Sequence, residues 1–255
     1  RNGERRMLKF NPSEFALLIC DEAHHCPADT WRAVIGHYQQ NPACKVLGVT
    51  ATPDRHDEKA LGQIFDSVAF EYGITDAINE GWLVPVVQKY LTVTIDFSGV
   101  KYTLGDFNGA DLKEVLARGT TLEQIASDSI QYAGDRRTLV FADSVDNAER
   151  LTVAFNQHRM KSARIVTGET PKDERRELIA AYRAGEFQFL TNCAVASEGF
   201  DVPEIACVVM ARPTCSRALY AQMAGRAMRP LGGVVDPWPT DNERKAAIAG
   251  STKQN

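Results

Sequence analysis

The 255 residues include 29 lysine and arginine against 33 aspartate and glutamate, a formal charge of −4, with 44% hydrophobic and 24% charged residues. That composition suits a globular chain of one or two domains; it excludes wholesale disorder, collagen-like repeats and a globally basic nucleic-acid coat. No apolar run approaches the roughly 18 residues of a membrane span, so no membrane partner is expected, and nothing in the sequence fixes an oligomeric state.

The chain opens on charged residues, Arg1, Glu4, Arg5 and Arg6, with no apolar stretch behind them. The expectation is a piece of something longer, without a secretory signal. Cys20, Cys26, Cys44, Cys193, Cys207 and Cys215 form no CxxC pair. The cluster of Cys20, His24, His25, Cys26, His37 and Cys44 matches none of the usual zinc spacings. A cytoplasmic, reducing location is the simpler expectation.

In chain order, Phe15–Cys20 and Lys45–Val49 are apolar runs of strand length, read as buried strands, with helical spacing between them through Trp31, Val34, Ile35 and Tyr38. A short helix is predicted over Ile74–Glu80, ended by Gly81, and an extended segment over Val86–Phe97. A helix from about Asp111 to Tyr132 follows. Then come strand Thr138–Phe141, helix Val145–His158, strand Ala163–Val166, helix Lys172–Arg183, strands Gln188–Thr191 and Ile205–Met210, and helix Ser216–Met228. Alternating short apolar and longer amphipathic runs predict an α/β fold with parallel sheets. The expected division is 1–85 and 86–230, with a boundary near residues 84–90 and a polar tail over 231–255.

Four segments carry chemistry. Leu17-Leu18-Ile19-Cys20-Asp21-Glu22-Ala23-His24 sets adjacent carboxylates at the carboxyl edge of a parallel strand, where α/β proteins bind ligands. Asp21 suits Mg²⁺, directly or through water, and Glu22 suits a water attacking a γ-phosphate; a helix start decorated with acids is the blander alternative. Gly48-Val49-Thr50-Ala51-Thr52-Pro53 places hydroxyls in a compact loop after the second strand, with Arg55 just beyond as a phosphate-contact candidate. Thr191 to Pro203 is a strand end leading into small residues, Gly199 and Asp201, the last suited to a ribose hydroxyl or a coupling water. On the helix ending at Met228, spacing puts Gln222, Gly225, Arg226 and Arg229 on one face. The window 210–230 holds four arginines and no acid, and paired guanidiniums suit a triphosphate. Arg175 and Arg176, among acids, read as a solvated face.

Taken in order, these segments resemble the superfamily 2 helicases of the DEAD/DEAH type. The wording DEAHH, TATPDR, EGFDVP and ARPT is most similar to the group of type III restriction, excision-repair and phage DNA helicases. Asp21–His24 matches the DEAH motif, and Thr50, Ala51 and Thr52 match the motif coupling ATP state to domain closure. Thr191–Asp201 and Gln222–Arg229 match the last two motifs. The resemblance implies two RecA-like parallel-sheet domains, the first incomplete, with ATP and Mg²⁺ as cofactors. It assigns nucleotide binding to Asp21, Glu22, His24, Gly199, Asp201, Gln222, Arg226 and Arg229, with Glu22, Asp21, Arg226 and Arg229 catalytic. It assigns nucleic-acid contact to Arg55, Phe141, Thr167, Gly168 and Thr191, on a single-stranded or duplex partner, DNA favoured over RNA.

One departure stands out. The chain has no Gly-Lys dipeptide, so the loop that cradles phosphates with backbone N–H groups and a lysine is missing. The resemblance places that loop upstream of Arg1, and these 255 residues alone are expected to show no appreciable ATPase activity. Ala227, where many relatives carry glycine, is a lesser departure. The alternatives are a nucleotide-independent nucleic-acid-binding module or degenerate ATPase, and a metal-dependent nuclease built on Asp21, Glu22 and His24.

Overall fold

The computed structural model describes residues 7–51, 61–93, 95–103, 106–118, 120–193, 195, 200–251 and 253. They fall into two compact units, 1–71 and 72–255, each described by itself.

In the first unit, strand β1 (Leu17–Cys20) pairs in parallel with β2 (Lys45–Gly48), Leu17 opposite Lys45 and Cys20 opposite Gly48. Helix α1 (Asp29–Tyr38) crosses over between them. Strand side chains alternate between faces. Leu18, Cys20 and Val46 therefore join Ala23, Cys26, Trp31, Ile35, Ile64 and Phe65 in one core. Leu17, Ile19, Leu47 and Val49 point the other way and are exposed. The two predicted strands are thus buried on one face only among the described residues, because a single helical layer packs on them.

The second unit is an α/β sandwich. Its elements are α2 (Ile74–Asn79), the hairpin strands β3 (Tyr102–Thr103) and β4 (Asp106–Phe107), α3 (Gly109–Leu116) and α4 (Thr121–Ala133). Then follow β5 (Thr138–Phe141), α5 (Val145–His158), β6 (Ala163–Val166), α6 (Lys172–Ala184), β7 (Phe189–Asn192), β8 (Cys207–Met210), α7 (Arg217–Met228) and α8 (Asp241–Gly250). The four-stranded sheet has the order β6-β7-β5-β8, every pair parallel. Parallel sheets are covered on both faces, and the core divides accordingly. Val140 and Phe189 pack under α4 and α5 with Ile125, Leu151 and Phe155. Leu139, Phe141 and Leu190 pack under α6 and α7 with Tyr182, Met223 and Ala227.

Three differences from the sequence reading have physical causes. The single helix expected over 111–132 is two, α3 and α4, because the sequence Arg118-Gly119-Thr120 interrupts it; Thr120 already has φ −100°, ψ 16°. Residues 86–97 form no strand among those described; the pairing goes instead to the β3–β4 hairpin.

The tail is the third difference, and it also moves the boundary. Thr240 and Glu243 cap α8 reciprocally, and Arg244 on its first turns is 4% exposed. Its guanidinium lies 3.9 Å from the Trp82 ring centroid and donates to the carbonyls of Glu80, Trp238 and Pro239. Gly81, at φ +77°, sits under it: a Cβ there would stand 2.9 Å from Arg244 Cβ and 3.0 Å from the Lys245 nitrogen. Val84 and Ile248 share a small core, so 74–84 belongs with the second unit and the division falls at 71/72 rather than 84–90.

Candidate functional site

In the first unit the acidic turn follows directly from the strand. Cys20 is the last ladder residue of β1, and Asp21 then caps the next peptide, its Oδ1 accepting the Glu22 N–H at 2.9 Å. Glu22 adopts the left-handed conformation, φ 49°, ψ 50°, and opens a 3₁₀ turn over Ala23–His25. That conformation costs a non-glycine residue roughly 1–2 kcal/mol, and such strain persists where the surroundings over-determine it. Here the Val49 N–H donates to the Cys20 carbonyl at 2.8 Å, and the Ala23 N–H donates to the Val49 carbonyl at 2.9 Å. The turn is stapled to the end of β2.

Gly48 permits this closeness. A Cβ on it would lie 2.9 Å from Ala23 Cβ and 2.5 Å from Phe65 Cζ. His24 links the two predicted motifs: its Nδ1 stands 3.1 Å from Thr50 Oγ1 and 3.4 Å from Glu22 Oε2. Glu22 Oε2 is buried and makes no hydrogen bond, while Asp21 is exposed. Adjacent carboxylates at a sheet edge, one open and the other with a single oxygen shielded, fit a hydrated divalent cation and a polarised water. Ala51 lies just after Thr50 and is exposed. Thr52 and Arg55 lie outside the described residues. His25 stacks obliquely on His24, ring centroids 4.0 Å apart.

The thiols beside the turn are buried. Burial, helped by Cys26, pushes Cys20 up to about 11, and burial raises Cys26 as well. All six cysteines are free, and among the described residues no group of three or more His, Cys, Asp or Glu side chains is placed to hold a metal ion.

In the second unit, α7 carries the arginine pair. Arg226 is 7% exposed and donates to the Phe200 carbonyl at 2.7 Å. Arg229 donates to the same carbonyl at 3.3 Å and to Asp201 Oδ1 at 2.6 Å. Arg183 donates to the Asp201 carbonyl, and Lys253 to the carbonyls of Pro203 and Arg229. Among the described residues, four cations therefore hold the loop 200–203, and burial, followed by the neighbouring Arg229 charge, lowers Lys253 to about 8. The sequence brought Asp201, Arg226 and Arg229 together but had no means of finding Arg183 or Lys253, whose bonds to this loop go to backbone carbonyls. Gln222 is half-buried on the same helix, and Gly199 lies outside the described residues.

The expected nucleic-acid contacts divide. Phe141 and Thr191 are 3% and 0% exposed. Alternation along β5 and β7 turns both side chains into the core: Phe141 packs in the layer under α7, and Thr191 bonds to Thr152 of α5 and to the Arg164 carbonyl. The contact reading is corrected to scaffold for these two. Thr167 and Gly168 sit in a surface turn closed by Thr170, whose Oγ1 accepts the Thr167 N–H at 2.9 Å. Arg175 donates to the carbonyls of Thr167, Gly168 and Thr170. It is therefore part of that turn and not a solvated face; Arg176 pairs with Asp173 at 3.4 Å in the open.

Residues 118–230 match the helicase conserved C-terminal domain family, and residues 2–55 match the family of the type III restriction enzyme res subunit. The chain is thus similar to a helicase domain over the later stretch and to a restriction-enzyme subunit over the earlier one. It is 32% identical over 231 residues to the Saccharomyces cerevisiae protein named as ATP-dependent helicase IRC3, covering 88% of this chain and 33% of that protein. It is 28% identical to the DNA 3'-5' helicase XPB of Mycobacterium tuberculosis, covering 89% of this chain and 40% of XPB. Its fold is similar to that of a fragment of an HsdR subunit of a type I restriction enzyme from Vibrio vulnificus YJ016, with TM-score 0.66 and 23% identity over 89% of this chain and 43% of that one. The chain thus spans a third to two-fifths of the length of the two helicase relatives named here.

Proposed function

We propose that this chain carries the hydrolysing and coupling segments of an ATP-dependent helicase or translocase that acts on DNA in a reducing cell interior. The observation that carries the reading is the acidic turn: a strained Glu22 held at a sheet edge, one oxygen shielded and free of hydrogen bonds, and joined through His24 to Thr50. MgATP is the substrate. Asp21 holds the metal through water or directly, and Glu22 orients the attacking water and accepts its proton. His24, in reach of both Glu22 and Thr50, transmits the state of the turn to the loop after β2.

The arginine pair supplies positive charge where negative charge develops on the phosphates. Arg229 is the mobile member. Its bond to Asp201 is between side chains 38% and 72% exposed, and such pairs contribute only about 0–1 kcal/mol. A triphosphate, with more charge and several acceptors, displaces Asp201 at little cost. Arg226, buried against the Phe200 carbonyl, holds the loop in place while Arg229 moves. Thr167 and Gly168 stay as surface candidates for the nucleic-acid backbone.

DNA-stimulated ATP hydrolysis by the full-length protein tests the proposal. Turnover that rises on adding DNA supports it; turnover indifferent to every nucleic acid overturns it.

A further inference from the structure

The loop leading into the arginine helix is held by a carboxylate that belongs to no helicase segment picked out from the sequence. Asp106 stands at the start of β4, on the small hairpin that precedes α3. Its Oδ2 accepts the Thr214 hydroxyl at 2.7 Å, and its Oδ1 accepts the Cys215 N–H at 2.8 Å and the Phe107 N–H at 2.9 Å. Arg212 approaches Oδ2 at 3.9 Å. Burial by itself would raise this acid, yet the bonds from Cys215, Thr214 and Phe107, with the Arg212 charge, hold it below the usual carboxylate range.

The bonds continue into the helix. Thr214 Oγ1, while donating to Asp106, accepts the Ser216 N–H at 3.1 Å. Ser216 caps α7, its Oγ accepting the Leu219 N–H at 3.2 Å. An unbroken chain therefore runs from the hairpin carboxylate to the first turn of the helix whose far end carries Arg226 and Arg229. A helix of 12 residues is a rigid rod of about 18 Å, so a shift at its start is delivered at its end.

We propose that Asp106 is a positioning residue for the arginine pair: through Thr214 and Cys215 it fixes the start of α7 and thereby where Arg229 is presented. This rests on the reading that the arginines serve the triphosphate. Misplacing a charge-stabilising group by about 1 Å costs up to about a hundredfold in rate.

The test compares Asp106→Ala, Asp106→Asn, Thr214→Val and the Ala/Val double variant in DNA-stimulated ATP hydrolysis by the full-length protein. Rates are taken well below the melting midpoint and normalised to the folded fraction measured by nucleotide-binding stoichiometry. Asp106→Ala and Thr214→Val each lower kcat about tenfold, with KM for ATP unchanged within about twofold. The double variant falls no further than the worse single, since both cut one chain. Asp106→Asn, which still accepts from Cys215 and can bond Thr214 through its amide, recovers most of the rate. A wild-type kcat in Asp106→Ala, additive losses in the double variant, or a loss that vanishes on normalisation overturns the positioning role. Arg229→Ala is measured alongside: if it hydrolyses ATP normally, the role of the arginines fails and the positioning role with it. If Arg229→Ala is inactive and Asp106→Ala is normal, the positioning role alone fails.

Discussion

Replacing Gly48 by alanine probes the packing that holds the acidic turn in place. The added Cβ meets Phe65 Cζ at 2.5 Å, Phe65 Cε1 at 2.7 Å and Ala23 Cβ at 2.9 Å. Carbon atoms pack at about 3.5–4.0 Å, so the ring has to retreat by about 1 Å or the Ala23 backbone has to lift off the end of β2. Phe65 and Ala23 both belong to the first unit's core, and overpacking of this kind costs about 1–3 kcal/mol. Lifting Ala23 also strains its bond to Val49, which keeps Glu22 in the left-handed conformation. Denaturant unfolding of the chain, followed in the first unit by the accessibility of the buried Cys20 and Cys26 thiols, should show an unfolding free energy lowered by that amount. Phe65→Leu added to Gly48→Ala should return at least half of the loss, because it removes the two nearer of the three atoms the new methyl strikes. A Gly48→Ala chain as stable as wild type would refute the reasoning, as would a double variant showing no recovery.

Two further predictions address the fold. Arg244→Ala should destabilise the second unit by about 2–4 kcal/mol, because it strips the carbonyls of Glu80, Trp238 and Pro239 of a charged donor and Trp82 of its cation; calorimetry showing an unchanged midpoint would place α8 outside the cooperative unit. In the native chain a thiol reagent at neutral pH should modify exposed Cys215 first. Cys20, Cys26 and Cys44, all buried, should react only on unfolding, as mass mapping of modified peptides would show.

How far the sequence could be read depended on whether a residue's partner was local. The strand–helix alternation from Thr138 to Met228 was legible because each apolar run has strand length and two of the helices carry their own serine caps, Ser144 for α5 and Ser216 for α7. Asp21, Glu22, Arg226 and Arg229 were picked out by the resemblance of their segments to known motifs, and the structure sets the first two in one turn and the last two at one end of α7. What failed has a common cause: the deciding contact lies far away in the chain. Asp106 meets Thr214 across 108 positions, and Arg244 meets Glu80 across 164. No periodicity encodes such pairs, so the part played by Asp106 went unseen and α8 read as a polar tail; the hairpin strands, two residues each, are too short to show alternation. Phe141 and Thr191 failed differently. Motif matching placed them at or next to strand ends, but a four-residue strand covered on both faces leaves no side chain exposed.

The central claim, that the acidic turn drives hydrolysis, is tested most directly by Glu22→Gln in the full-length protein, measuring ATP binding and single-turnover hydrolysis side by side. The substitution keeps size and hydrogen-bonding capacity but removes the carboxylate proposed as the base. The account predicts ATP affinity within about threefold of wild type and hydrolysis slowed by about a hundredfold or more. Hydrolysis at the wild-type rate by the Glu22→Gln variant would contradict it.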